Sequence, residues 1–207
     1  MLLNKYNFKI SKFCGNSSRN PEITGVFINS KGESVATDSF KLIKVSAEKG
    51  FKEEDYPIIQ NEESTKNFKS FIIPKEQANE IAGLFRKENK DLPILNNAIV
   101  LKETEDIIEI GKIDNELQGF NKIIARKIQG QYPEYQKLYE EKGKYIEIIA
   151  NPKLLKEIID FYSQFCDTST PKLRIKISKN DIDPIRFSAK RQSGQEAEAL
   201  LMKIQNN

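Results

Sequence analysis

The feature that most constrains this chain is an order of elements that occurs twice. A β-type run at Lys69–Ile73 meets Pro74, a helical period follows over 75–88, and three more β-type runs come after it, at Ile94–Lys102, Asp106–Lys112 and Asn121–Ile128. The order returns at residue 144. Lys144–Ala150 alternates and is rich in isoleucine, Pro152 opens a helix over 152–165, and strands are expected at Lys172–Ser178, Ile185–Ala189 and Ala197–Ile204. Pro74 and Pro152 stand 78 residues apart, each in the first turn of its helix, where a missing N–H costs nothing. Asn151 adds a cap to the later helix, whose Leu154, Leu155, Ile158, Ile159, Tyr162 and Phe165 recur at helical spacing. In the earlier helix the buried face is expected at Ala78, Ile81, Leu84 and Phe85.

A third copy of the pattern lies nearer the start. Lys5–Cys14 reads as a short amphipathic helix, with strands to follow at Ile23–Asn29, Glu33–Thr37 and Phe40–Ser46. The chain therefore divides into three βαβββ units, at 1–48, 69–128 and 144–207, with charged, turn-rich linkers at 49–68 and 129–143. Two units make a domain over 1–141, and the third makes half of another over 144–207. The fold class this implies is α+β, with antiparallel sheets and the helices gathered on one face.

Composition narrows the chemistry. The 207 residues contain no histidine, which excludes Ser-His-Asp and Cys-His nucleophilic sites, imidazole general bases and His-containing zinc sites. The two cysteines, Cys14 and Cys166, are too few for a thiolate metal centre, and so sparse a usage fits a reducing, cytoplasmic setting. No GxGxxG or P-loop can be written from the ten glycines. Asp38 and the Asp181–Asp183 pair read as turn residues whose side chains bond nearby backbone. No catalytic residue, metal or cofactor is expected, and no apolar run approaches the ~20 residues that span a bilayer. Net charge is +3, too even to announce a nucleic-acid partner alone.

Four short segments carry more than topology. Val35-Ala36-Thr37-Asp38-Ser39-Phe40-Lys41-Leu42 resembles the ATDGHRLA strand-turn-strand of the bacterial DNA polymerase III beta subunit, the sliding clamp. Gly130-Gln131-Tyr132-Pro133-Glu134-Tyr135 is similar to that family's GRFPDY connector, Ile23-Thr24-Gly25 to its LNG strand start, and Ile72-Ile73-Pro74-Lys75 to its VPRK helix entry. Order and spacing agree across all four. By this resemblance residues 1–141 correspond to the family's middle domain and 144–204 to the second half of its third. The departures are Ser39-Phe40, where the family has a glycine and a basic or polar residue, and Met202-Lys203-Ile204-Gln205-Asn206, where it has Met-Pro-Met-Arg-Leu.

The resemblance implies a ring that encloses duplex DNA and slides, holding phosphates without reading bases. The helices would line the hole. Lys5, Lys9, Lys12 and Arg19 come from the first unit, which has no acid on its helix, and Lys75, Arg86, Lys87 and Lys90 from the second. Each of these lysines taken singly also fits the solvated face of an ordinary helix. The resemblance further implies an apolar groove in which a polymerase or another replication protein docks a short peptide motif. Carried over position by position, that groove draws Ile23, Thr37, Ser39, Phe40, Lys41 and Leu42 from the first unit. It draws Pro133, Lys137 and Leu138 from the connector, and Leu200, Leu201, Met202 and Ile204 from the last strand. Leu42, Leu200 and Leu201 serve equally well as core residues. Tyr132, Tyr135 and Tyr139 fit a packed connector better than a base-stacking platform. Rings of this type hold about twelve such units, so three per chain require a homo-oligomer of about four chains. The second functional reading is a clamp-fold adaptor that binds replication proteins without encircling DNA.

Overall fold

The computed structural model describes residues 1–17, 19–57, 68–85, 87–140, 143, 145–166, 172–180 and 182–204. The chain divides into two compact units, Met1–Lys137 and Leu138–Asn207.

The first unit holds two βαβββ modules. In the first, β1 (Leu2–Asn4) leads into α1 (Lys5–Lys9) and then β2 (Gly25–Ile28), β3 (Ser34–Thr37) and β4 (Leu42–Val45). In the second, β5 (Phe71–Pro74) leads into α2 (Lys75–Gly83), β6 (Asn97–Glu103), β7 (Ile107–Ile113) and β8 (Phe120–Arg126). A proline-led 3-10 turn, Pro21–Thr24 or Pro93–Asn96, delivers the chain into the first strand after each helix. The modules trade their leading strands. The sheets run β4-β3-β2-β5 and β1-β6-β7-β8, so β5 lies on β2 and β1 lies on β6, both antiparallel. The pairing register is the same in both: Asn4 sits opposite Asn97, and Pro74 opposite Gly25.

One core serves both sheets, with Leu3, Phe8, Val26, Ile28, Ile73, Ile81, Val100, Ile108 and Ile110 buried together. The two helices and the turns that follow them meet over it, with the rings of Phe8 and Phe85 6.3 Å apart and Ser11 Oγ donating to Asn79 Oδ1 at 2.6 Å. Asn7 is wholly buried, and its Nδ2 donates to Ser34 Oγ at 3.0 Å, which ties α1 to β3. Such a polar group is tolerated in a core only when it is bonded.

The helices are shorter than the sequence period predicts, except the third. α1 is capped by Asn4, which accepts from the Tyr6 amide at 2.9 Å, but tightens into a 3-10 turn at Ile10–Phe13. α2 ends at Gly83, a poor helix former, and Leu84 and Phe85 close in 3-10 fashion onto Ile81 and Ala82. Phe85 is buried as expected, whereas Leu84 is only half-buried.

The second unit is a single module. α3 (Pro152–Phe165) matches its predicted bounds, with Asn151 Oδ1 accepting from the Lys153 amide at 2.9 Å. It is followed by β9 (Arg174–Lys176), β10 (Ile185–Lys190) and β11 (Glu196–Leu201), in the order β11-β10-β9. The core is small: Tyr162, Ile185, Phe187, Ala189 and Leu201. The expected strand at 144–150 is not formed, and residues 145–150 run as irregular chain before α3. Among the described residues no helix is long and apolar enough to cross a membrane.

Candidate functional site

The turn between β3 and β4 gathers six residues of the expected groove. Thr37 and Leu42 face each other across the strand pair, and Thr37 Oγ1 donates to the Lys41 carbonyl at 2.9 Å while accepting from the Ser39 amide at 3.1 Å. Asp38 closes the turn as its sequence suggests. Its Oδ1 accepts from the Phe40 and Lys41 amides at 3.0 and 2.9 Å, and its Oδ2 from Lys41 Nζ at 2.7 Å. The Lys41 side chain, together with those amides, lowers the Asp38 carboxyl to about 2. Ser39 adopts φ 75°, the left-handed region in which glycine is at home, and this gives the turn its shape. Ile23 joins the cluster through Gly15, whose amide donates to the carbonyls of both Ile23 (2.8 Å) and Thr37 (3.1 Å). Phe40 is 98% exposed at the tip and fills no groove.

Sequence reasoning missed two aromatic residues here. Phe13 follows α1, and its ring has Lys12 Nζ at 5.8 Å and Lys41 Nζ at 5.7 Å. Lys12, expected on the DNA-facing side, thereby shares a ring with Lys41, a residue of the expected groove. Phe27, on β2, anchors the outer face of the sheet, where Tyr132 stacks on it at 4.8 Å and Tyr135 meets it edge-on at 6.2 Å. Val35, Ile72 and partly Leu42 complete that layer. Tyr132 and Tyr135 are therefore packing residues, whereas Pro133 and Lys137 are exposed and Lys137 pairs with Glu134 at 2.5 Å. Leu138 is exposed in the other unit.

In the second unit the expected wall residues alternate along β11. Leu200 and Met202 point outward and are exposed, as is Ile204, whereas Leu201 is buried beside Phe187 and belongs to the core. Lys203, at the family's proline position, sends Nζ to the carbonyls of Ser178 and Asn180, each at 2.7 Å.

The basic residues are placed unevenly. Lys5, Lys9 and Lys12 lie on α1 and its 3-10 extension, and Arg19 in the exposed loop beyond. Lys75 opens α2, bonds Asn16 and lies 4.0 Å from Glu76. Lys87 and Lys90 are exposed in the loop after α2, and Arg86 lies outside the described residues, as does Asp181. On α3, Lys156 is paired with Asp160. Positive charge without acids on the same helix is thus confined to α1. The thiol of Cys14, buried below this region, is pushed up to about 12 by desolvation and is inert at neutral pH.

No known protein-family model matches the sequence, and no curated protein matches it closely. The fold does match solved structures. The DNA polymerase sliding clamp of Pseudomonas aeruginosa superposes with a TM-score of 0.70 over 100% of this chain and 52% of that one, at 14% identity. The sliding clamp of Bacillus subtilis gives 0.68 over 99% and 49%, at 18% identity. A sliding clamp from Bartonella birtlesii bound to griselimycin gives 0.67 over 100% and 51%, at 15% identity. The chain spans about half the length of each. What the sequence motifs suggested, the backbone now carries: this chain has the fold of the bacterial DNA polymerase III beta sliding clamps.

Proposed function

We propose that the protein is a clamp-type processivity factor that surrounds duplex DNA as part of an oligomeric ring and tethers a replication protein through a peptide motif. It acts as a tether rather than as a catalyst. The observation that carries this reading is the junction of fold and charge. The clamp architecture spans the whole chain, and α1 with its 3-10 extension bears Lys5, Lys9 and Lys12 with no acid. A topological link predicts a specific result. Protein assembled on nicked circular DNA should co-elute with it at 0.3 M salt and be lost when the circle is cut to a linear form. Equal retention on both forms overturns encirclement.

A second observation favours the adaptor reading. The other two helices carry no positive excess, with Lys75 against Glu76 and Glu80 on α2 and Lys153 and Lys156 against Glu157 and Asp160 on α3, so one helix of the three is selectively basic. Both readings share the expected groove beside the β3–β4 turn. Leu42→Asp places a carboxylate on the half-buried apolar layer at that turn, and the affinity for a short apolar clamp-binding peptide should fall by about 10–100-fold, the worth of one leucine contact. Isothermal titration checks this, with circular dichroism as the control for folding, and unchanged affinity removes the groove from both readings.

A further inference from the structure

The second unit contains both halves of a junction that the first unit has already made. In the middle module, β5 is held along one edge by its own module, where the Ile128 amide donates to the Ile72 carbonyl at 2.9 Å. Its other edge carries β2 of the neighbouring module. The last module repeats the first of these contacts: the Ile204 amide donates to the Ile149 carbonyl at 2.8 Å. Ile72 and Ile149 each stand three residues before their helix begins, and Ile128 and Ile204 each follow the last strand of their module. Segment 145–150 is therefore placed as a leading strand, but among the described residues nothing pairs with its second edge.

The complementary edge is also open. β2 receives β5 and β6 receives β1, and the equivalent strand in the last module is β9, at the border of its sheet with no described strand beyond it. The consequence shows in the core. Val26 and Ala98, inward residues of β2 and β6, are both 0% exposed, whereas Ile175, opposite buried Phe187 on the inward face of β9, is 50% exposed. On α3, Leu154 and Ile159 occupy the third and eighth helical positions, those of buried Asn7 on α1 and core-packed Ala82 on α2, and both are exposed.

We infer that two copies of this chain associate through the unit Leu138–Asn207, each laying its segment 146–150 antiparallel along the free edge of the partner's β9. The occupant is a second copy because, among the described residues, one molecule presents both the open second edge of segment 145–150 and the open edge of β9, so a two-fold axis satisfies both at once. The first unit displays the product: two modules trading leading strands in one register. Transferred by position, with Ile72 opposite Phe27 and Leu2 opposite Ile99, that register sets Ile149 opposite Lys176, Ala150 opposite Ile175 and Ile148 opposite Ile177. Inward residues then meet inward residues. On the outer face Glu147 lies diagonal to Lys176, a favourable cross-strand charge pair.

Mass and crosslinking test this without DNA or peptide, so a failed dimer and a failed clamp are separate outcomes. Light scattering on the eluted full chain at 20 µM should give about 48 kDa, twice the 23.8 kDa chain, and Ile175→Lys should return it to the monomer mass. In a Cys166→Ser background, Ile149→Cys in one preparation and Lys176→Cys in another should form a disulfide of dimer mass when mixed and oxidised. Either variant alone should form little, because a two-fold axis separates like positions. Both substituted sites are solvent-facing, so the crosslink remains informative if Ile175→Lys disturbs folding. A monomer of wild-type protein at 20 µM, or mixed variants that crosslink no better than either alone, overturns the inference.

Discussion

Phe187→Ala should unfold the second unit and leave the first intact. Phe187 is 2% exposed at the centre of β10, and among the described residues it shares its core with four other buried side chains. Its carbonyl accepts from the Tyr162 hydroxyl at 3.0 Å, so the ring and the backbone together fix α3 on the sheet. Removing a buried phenylalanine ring costs about 3–5 kcal/mol, a loss that a core of this size cannot absorb. Limited proteolysis should then yield a resistant fragment ending near Lys137, with residues beyond it digested. Survival of the whole chain under conditions that leave wild type intact would contradict the small-core account.

The second large effect is expected at Gly25→Val, where the first unit joins its modules. A Cβ on Gly25 would stand 2.4 Å from the Ile73 carbonyl oxygen, 2.7 Å from Ile72 Cγ2 and 2.8 Å from Ile128 Cδ1. The nearest of these is backbone of β5, and it cannot retreat without opening the strand exchange with β2. The cost should exceed the upper end of ordinary overpacking, about 3 kcal/mol, and lower the melting temperature of the first unit by roughly ten degrees. Gly83→Ala is the matched control. A Cβ there meets nothing within 4 Å at the end of α2, so calorimetry should show unchanged or slightly raised stability.

Much of this architecture was legible in the sequence, and the parts that were not share a physical cause. α3 was found to the residue because its signals are local: Asn151 caps, Pro152 starts and the apolar period runs unbroken. The end of α2 was misplaced because the apolar period continues through Leu84 and Phe85 although Gly83 has already loosened the helix. β1 is implied by the βαβββ pattern, but no local signal places its residues. It is three residues long, and what makes it a strand is Asn97–Ile99, almost a hundred residues away. The converse error occurred at 145–150, where isoleucine-rich alternation predicts a strand but strand structure also requires a paired edge. At the candidate groove, the motif around Asp38 was read as a turn, and the side-chain bonds bear that out. The Gly15 amide that fastens Ile23 to Thr37 belongs to no motif, and Phe13 gave no signal beyond its place on an apolar stripe.

Trading of leading strands has a consequence for synthesis. Leu2–Asn4 leave the ribosome well ahead of their partners Asn97–Ile99, which follow only after a further ninety or so residues have been made. Until then α1 has no finished layer to rest on, and the nascent first module must wait with Phe8 and Leu3 uncovered. The first unit should therefore fold late and in one step once β6 emerges, at the slow pace set by distant pairings.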